Sequence, residues 1–270
     1  LDDSEVELLS LESELIRAFD NDEFTVNFQP KYMIQQHTIS GFEALVRWNN
    51  PVRGIVLPDQ FIPLAEQNGL IRQLDTAVIK KVCQQISLWQ KQGFEFGHIN
   101  ISALNFQQME FCQSIKHITK EFNIDPTLIE LEITESAMMS DPEQTHDNLT
   151  ELRSLGFSVA LDDFGTGHSS LGHLKNFPID RIKIDKSFIR DIETSEQDKN
   201  IVSVIIQLAK FLKIKVVAEG VENEGQAYIL HVMGCNDIQG FMISKALSAE
   251  QVDAFMEAQL EQIPSVALDS

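Results

Sequence analysis

Alternating strand and helix patterns along 270 residues predict an α/β chain folded as a single TIM-like (β/α)8 barrel with an antiparallel first strand. Three observations predict it. From about residue 69 onward, apolar runs of strand length alternate with long helical periodicities. The length and the 43% hydrophobic content suit one large domain. Nearly every strand pattern also ends in an acid, an amide or a lysine, which a barrel gathers at one rim. A doubly wound open sheet is the alternative that the same alternation allows.

Residues 5–19, EVELLSLESELIRAF, carry apolar positions at helical spacing and predict an amphipathic lead-in helix within 1–20. FTVNFQPKYMI reads as a strand. After a polar turn at 35–38, ISGFEALVRW reads as its antiparallel partner, because so short a connection forbids a parallel crossover. Residues 69–93 form a long helix closed by Gly93 at a C-terminal cap. FGHINISA and IELEITE are strands. Residues 140–156 form a helix, with Ser140 or Asp141 ahead of Pro142 and Gly156 beyond its end. FSVALDDFG and RIKIDKSFI read as strands, EQDKNIVSVIIQLAKFLK as a helix and IKVVAEGVE as a strand. NEGQAYILHVMG is a helix ending at Gly234, DIQGFMI a short strand, and SAEQVDAFMEAQLEQ a last helix capped by Ser248. The barrel is expected over 21–261, with a loose tail at 262–270.

The chain holds 41 acidic and 21 basic residues, a formal charge of −20. That excludes a broad basic face for a nucleic acid polymer. An anionic ligand would need a metal or a placed cation. Cys83, Cys112 and Cys235 are far apart and form no CxxC pair. They read as packing residues of a reducing compartment, so the expected location is cytoplasmic. No apolar run approaches the ~20 residues of a membrane span, and no signal peptide is visible. The start at Leu1 reads as a fragment, with anchoring or sensory regions expected elsewhere.

The placement of polar groups carries the chemistry. EAL contributes Glu43, with Leu45 and Arg47 two and four residues on. INIS contributes Asn100, LEITE contributes Glu132 and Glu135, and LDDFG contributes Asp162 and Asp163. IKID contributes Lys183 and Asp185, VVAEGVE contributes Glu219 and Glu222, and DIQG contributes Gln239. A lone strand-end carboxylate is ordinarily a helix cap or a solvated side chain. Seven strands doing this together is different, since so many carboxylates converging in a partly buried site repel one another. Hard oxygen donors with one amide suit Mg2+ or Mn2+ rather than zinc. The adjacent Asp pair suggests two ions with a shared ligand, about 3.5–4 Å apart, an arrangement used in phosphoryl transfer to water.

Through FEALVRW, NISA, LEITES, LDDFGTGHSSL, FPIDRIKIDKSFI, VVAEGVE and IQGFMIS, the chain resembles the EAL domain family over about 28–248. These are bacterial phosphodiesterases that hydrolyse cyclic di-GMP to linear pGpG, and the resemblance implies the same activity, lowering a second messenger. It also implies two divalent cations, Mg2+ or Mn2+, with Ca2+ inhibitory. Glu43, Asn100, Glu132 and Asp162 match ligands of one ion. Asp162, Asp163 and Glu219 match those of the other. Lys183 matches the residue that orients the attacking water, Glu219 the proposed general base, and Gln239 a residue near that water. Glu135 and Glu222 match the pair that organises the loop after DDFG. Gln29, Leu45, Arg47 and Asp185 match substrate positions. A homodimer and an upstream sensory or regulatory domain are further implications. Three positions depart from the pattern: His168, where Tyr is frequent, and Ile243 and Ala246, where an aromatic residue and Pro are frequent. Members acting only as cyclic di-GMP receptors or docking modules typically lack an acidic ligand, and here each position is filled. A Mg2+-dependent enolising lyase would instead set a Lys or His base against a carboxylate triad.

Overall fold

In the computed structural model, the alternating residues of 24–33 and 38–50 build the hairpin that starts the fold. The structure describes residues 3–259 apart from 94–96, 103–105, 109 and 166–173. The tail at 262–270 and the loop position His168 lie outside the described residues. Strands β1 (Phe24–Met33) and β2 (Thr38–Asn50) pair antiparallel from Phe24 opposite Trp48 to Met33 opposite Thr38. His37 takes φ 53° in the turn between them.

From β2 the sheet continues in parallel through β4 (His98–Ser102), β5 (Ile129–Thr134), β6 (Ser158–Phe164), β7 (Arg181–Ile184), β8 (Lys215–Ala218) and β9 (Asp237–Gln239). Strand β9 then pairs antiparallel with β1, which closes an eight-stranded barrel whose first strand opposes both neighbours. A short β3 (Gly54–Val56) sits outside the ring on the far end of β2. The closed barrel, not the open sheet, is the observed architecture.

The outer helices are α1 (Asp3–Asp20), α2 (Pro58–Gln67), α3 (Ile71–Gln92), α4 (Phe111–Glu121), α5 (Glu135–Ser140) and α6 (Pro142–Ser154). They continue with α7 (Lys186–Arg190), α8 (Glu196–Leu212), α9 (Glu224–Met233) and α10 (Ala249–Gln259). The cap signals hold. Gly93 and Gly234 close α3 and α9 at φ 72° and 81°, and Asp141 accepts from the Gln144 amide at the start of α6. Strand β3 and helices α2, α4 and α5 have no counterpart in the sequence reading, and Glu135, read as a strand end, starts α5. The span 181–189 is corrected: only Arg181–Ile184 is strand. Asp185 accepts the Ser187 amide at 2.9 Å and starts α7, so a capping bond overrides the strand-like pattern of KSFI.

The apolar core lies between strands and helices. Trp48, Phe24 and Phe61 pack with ring centroids 5.8–6.1 Å apart, and Trp89 meets Phe28 edge-on at 4.9 Å. The three cysteines are buried and free in this shell, as packing residues, and burial pushes the Cys83 and Cys235 thiols up to about 12. No helix among the described residues is long and apolar enough to cross a membrane.

Candidate metal and substrate site

Side chains two residues apart on a strand share a face, and four barrel strands use this to stack two polar residues inward. Strand β5 places Glu130 below Glu132. Strand β7 places Arg181 below Lys183, and β9 places Asp237 below Gln239. Strand β1 runs the other way, so Lys31 lies low and Gln29, opposite Glu43, lies high. The barrel interior therefore carries two polar layers.

The lower layer is charge-balanced. Arg181 donates Nε to Glu130 Oε2 at 3.0 Å and Nη1 to Asp237, and Lys31 Nζ donates to Glu130 Oε1 at 3.3 Å. All four residues are buried. Burial alone would raise the Glu130 carboxyl. The charges of Lys31 and Arg181 more than offset it and hold the group at about 2.

The upper layer, at the C-terminal mouth, is not balanced. Lys183 Nζ lies 2.7 Å from Glu219 Oε1, 2.9 Å from Glu132 Oε1, 3.2 Å from Asp162 Oδ1 and 3.5 Å from Glu43 Oε1. One ammonium thus faces four carboxylates. A fifth, Asp163, has a carboxylate oxygen within 4.8 Å of oxygens of Asp162 and Glu219. Burial, then the repulsion of neighbouring acids against the pull of Lys183, pushes Glu219 up to about 8. Burial and the Glu43 charge drive Glu132 well above the carboxylate range. Burial and Asp162 raise Asp163. For Lys183, burial works against the charge, but the surrounding carboxylates prevail and raise it well above its usual value.

Consecutive residues of a strand normally face opposite sides, yet Asp162 and Asp163 both reach the mouth. A bulge makes this possible: the β6–β7 register shifts between Leu161 and Phe164, and Asp163 takes φ 54°. Aspartate tolerates that left-handed conformation better than most side chains. The Asp163 amide donates to Asp162 Oδ1 at 3.0 Å.

The donors present fit divalent cations. Glu132 Oε2 is buried without a hydrogen-bond partner, so a fully desolvated oxygen points at no donor. With Glu43, Asp162, Asp163 and Glu219 around it, the donor set is hard and anionic, as Mg2+ or Mn2+ requires. Asn100 is buried among them, with Nδ2 donating to Glu132 Oε1 at 2.6 Å and to Glu130 Oε1 at 2.7 Å. Its Oδ1 accepts from Lys31.

A cavity of about 410 Å3 opens beside these groups, lined among others by Gln29, Glu43, Leu45, Glu219, Glu222 and Gln239. Gln239 Nε2 donates to Glu43 Oε2 and, at 3.2 Å, to Gln29 Oε1. Glu135, at the start of α5, accepts the Gly165 amide at 3.1 Å and so anchors the backbone just after DDF.

The model of the EAL domain matches residues 12–246. This chain belongs to the EAL domain family. It is 39% identical over 255 residues to the signaling protein YkoW of Bacillus subtilis, covering 94% of this chain and 32% of that protein. It is 38% identical to the bifunctional diguanylate cyclase/cyclic di-GMP phosphodiesterase MucR of Pseudomonas aeruginosa, covering 91% of this chain and 36% of that one. A solved structure of the MucR phosphodiesterase in complex with c-di-GMP superposes with TM-score 0.86 at 38% identity, covering 91% of this chain and 99% of that one. The EAL domain here spans about a third of the length of the curated relatives it matches.

Within this EAL domain two expected substrate residues lie apart from the cavity lining. Arg47 is half-buried and donates Nη1 to its neighbour's carbonyl, Val46 O, at 2.8 Å. Asp185 is spent capping α7. Besides Gly220 and Gly240, two lining side chains went unread in the sequence, Lys186 and Phe241. Lys186 had a signal, since it is a lone cation following the acid of IKID. A Cβ on Gly220, at φ 71°, would stand 2.5 Å from Lys186 Cβ, so glycine there lets the lysine stem pass.

Proposed function

We propose that this EAL domain hydrolyses cyclic di-GMP to linear pGpG in the cytoplasm. The unbalanced upper layer carries the reading: five carboxylates around one lysine, with a buried Glu132 oxygen lacking any donor. Similarity to MucR, whose solved phosphodiesterase holds c-di-GMP, supplies the substrate class. Glu43, Glu132, Asp162, Asp163 and Glu219, with Asn100 once its amide oxygen faces them, would hold two divalent cations, Mg2+ or Mn2+. When bound, these supply Lewis acidity that neutralises the carboxylates, acidifies water and offsets phosphate charge.

The chain's own residues do the rest. Lys183, fixed by four carboxylates, presents N–H donors to the water and holds its oxygen on line with the phosphorus. Glu219, beside Lys183 at 2.7 Å, receives the water's proton on a carboxylate oxygen. The water oxygen bonds to phosphorus as one P–O bond of the ring breaks, and the departing ribose oxygen takes up a proton. Gln239 orients Glu43, while Gln29 and Leu45 line the wall the dinucleotide meets. Phe241, 60% exposed on the rim, offers a ring for a base. Arg47 would turn from Val46 O toward a phosphate, and Asp185 toward a guanine. Glu135 and Glu222 organise the loop between them. A homodimer regulated by an upstream sensory domain completes the reading.

The test is incubation with cyclic di-GMP and Mg2+ or Mn2+, with products separated by chromatography. Expected is pGpG that requires metal and is lost in Glu219→Ala. Saturable binding of intact dinucleotide without product would make the domain a receptor instead.

A further inference from the structure

We infer that Lys31 is a positioning residue of the cation site: it holds the Asn100 amide oxygen away from the carboxylate cluster, so that a cation must win that oxygen from an ammonium. The inference rests on the two-cation reading above. Lys31 belongs to the lower layer and is 1% exposed. Its ammonium donates to Asn100 Oδ1 and to Glu130 Oε1.

An ammonium carries three donors and no acceptor, so only the oxygen end of an amide satisfies it. This settles which way Asn100 faces. Its Nδ2 is left toward the carboxylates, donating to Glu130 and Glu132. An amide nitrogen has no lone pair free for a cation. In this orientation Asn100 braces Glu132 Oε1 and leaves the buried Glu132 Oε2 as the acceptor without a donor, but is not itself a ligand. Turning the amide over sets its N–H groups against the lysine. It also brings its oxygen against Glu132 Oε1, where only a cation between the two oxygens makes the contact favourable. One amide therefore has two holders. Lys31 has it in the metal-free barrel, and the ion near Glu43, Glu132 and Asp162 takes it on binding, leaving Lys31 to Glu130.

The experiment is calorimetric titration of MnCl2 into metal-stripped wild type, Lys31→Met, Asn100→Ala and the double variant, each checked by thermal unfolding. Lys31→Met is expected to bind one of the two Mn2+ ions about tenfold more tightly, the scale on which residues behind ligands act. That gain disappears in the Asn100→Ala background, because the lysine acts through the amide. Lys31→Gln, which accepts either amide orientation and still bonds Glu130, shows the same gain and serves if Lys31→Met does not fold. Unchanged affinity in a folded variant overturns the inference. So does an equal gain without Asn100, which would reflect only the lost positive charge. A wild type that takes up no Mn2+ overturns the two-cation reading and this inference together. Wild-type uptake without the Lys31–Asn100 coupling overturns this inference alone.

Discussion

Glu130 and Glu132 stand two residues apart on one strand, face the same interior and are equally buried, yet they live in opposite electrostatic worlds. Below, Glu130 pairs with Lys31 and shares Arg181 with Asp237, and the layer closes on itself with two positive and two negative charges. Above, Glu132 shares one ammonium with three further carboxylates. The lower acid is held at about 2, while the upper layer's Glu219 is pushed up to about 8. A folded chain tolerates the first layer as structure. The second leaves its carboxylates outnumbering their one ammonium, and this difference is what we expect between a structural charge cluster and a binding site in the same barrel.

The strongest break of that contrast is in the lower layer. Arg181→Met strands Asp237 in the interior and leaves Glu130 to Lys31 alone, and is expected to cost about 3–5 kcal/mol of stability in urea unfolding. Added metal should restore none of it. Wild type behaves differently: Mn2+ at a hundred times its Kd is expected to stabilise the fold by about 2.7 kcal/mol, read as a rise in the thermal midpoint. No rise would remove the distinction between the layers.

A smaller effect sharpens the comparison. Burial, then the Glu43 charge, drive the Glu132 carboxyl well above the carboxylate range, so a neutral amide of the same shape, Glu132→Gln, removes a charge that the fold itself does not favour. Its metal-free stability is expected to stay within about 0.5 kcal/mol of wild type, while the Mn2+ increment falls sharply. A large loss without metal would show Glu132 to be a structural charge like Glu130.

The mildest test is pH. The Glu219 pKa in the folded state, about 8, exceeds its ordinary 4.5, so between those values the folded form holds a proton that the unfolded chain has released. Metal-free stability should therefore fall as pH rises from about 4.5 to about 8, and Mn2+ affinity should rise through the same window as binding expels the proton. The lower layer has the opposite sign. Glu130 contributes stability above 4.5 that is lost as pH falls toward 2. Urea midpoints across pH, with and without Mn2+, separate the two slopes.

Much of this was legible in the residue order. Glycine and aspartate caps, strand alternation and the polar groups at strand ends are local properties, and they predicted the barrel and the group of acids at its mouth; the lower layer of Lys31, Glu130, Arg181 and Asp237 went unread, since its pairing joins distant strands. The span 181–189 misled because a capping bond from Asp185 outweighs the strand propensity of the residues after it. Phe241 went unread because nothing local distinguishes an aromatic residue on the cavity wall from one on any surface, and Lys186 because the strand pattern assigned to 181–189 hid its place after a capping acid.

What the sequence by itself determined is which groups point inward: parity along each strand brings Glu130 and Glu132, Arg181 and Lys183, Asp237 and Gln239 to the same face. What only the tertiary structure decided is which of them are neutralised. The partners of Glu130 come from β1 and β7, 99 and 51 residues away, and the register across the closed barrel sets who meets whom. The same register puts Lys31 against Asn100, 69 residues away, and so selects which end of that amide faces the acids. Charge interactions depend on separations of a few ångströms in a medium emptied of water. Sequence order supplies the groups, and closure of the sheet supplies the distances.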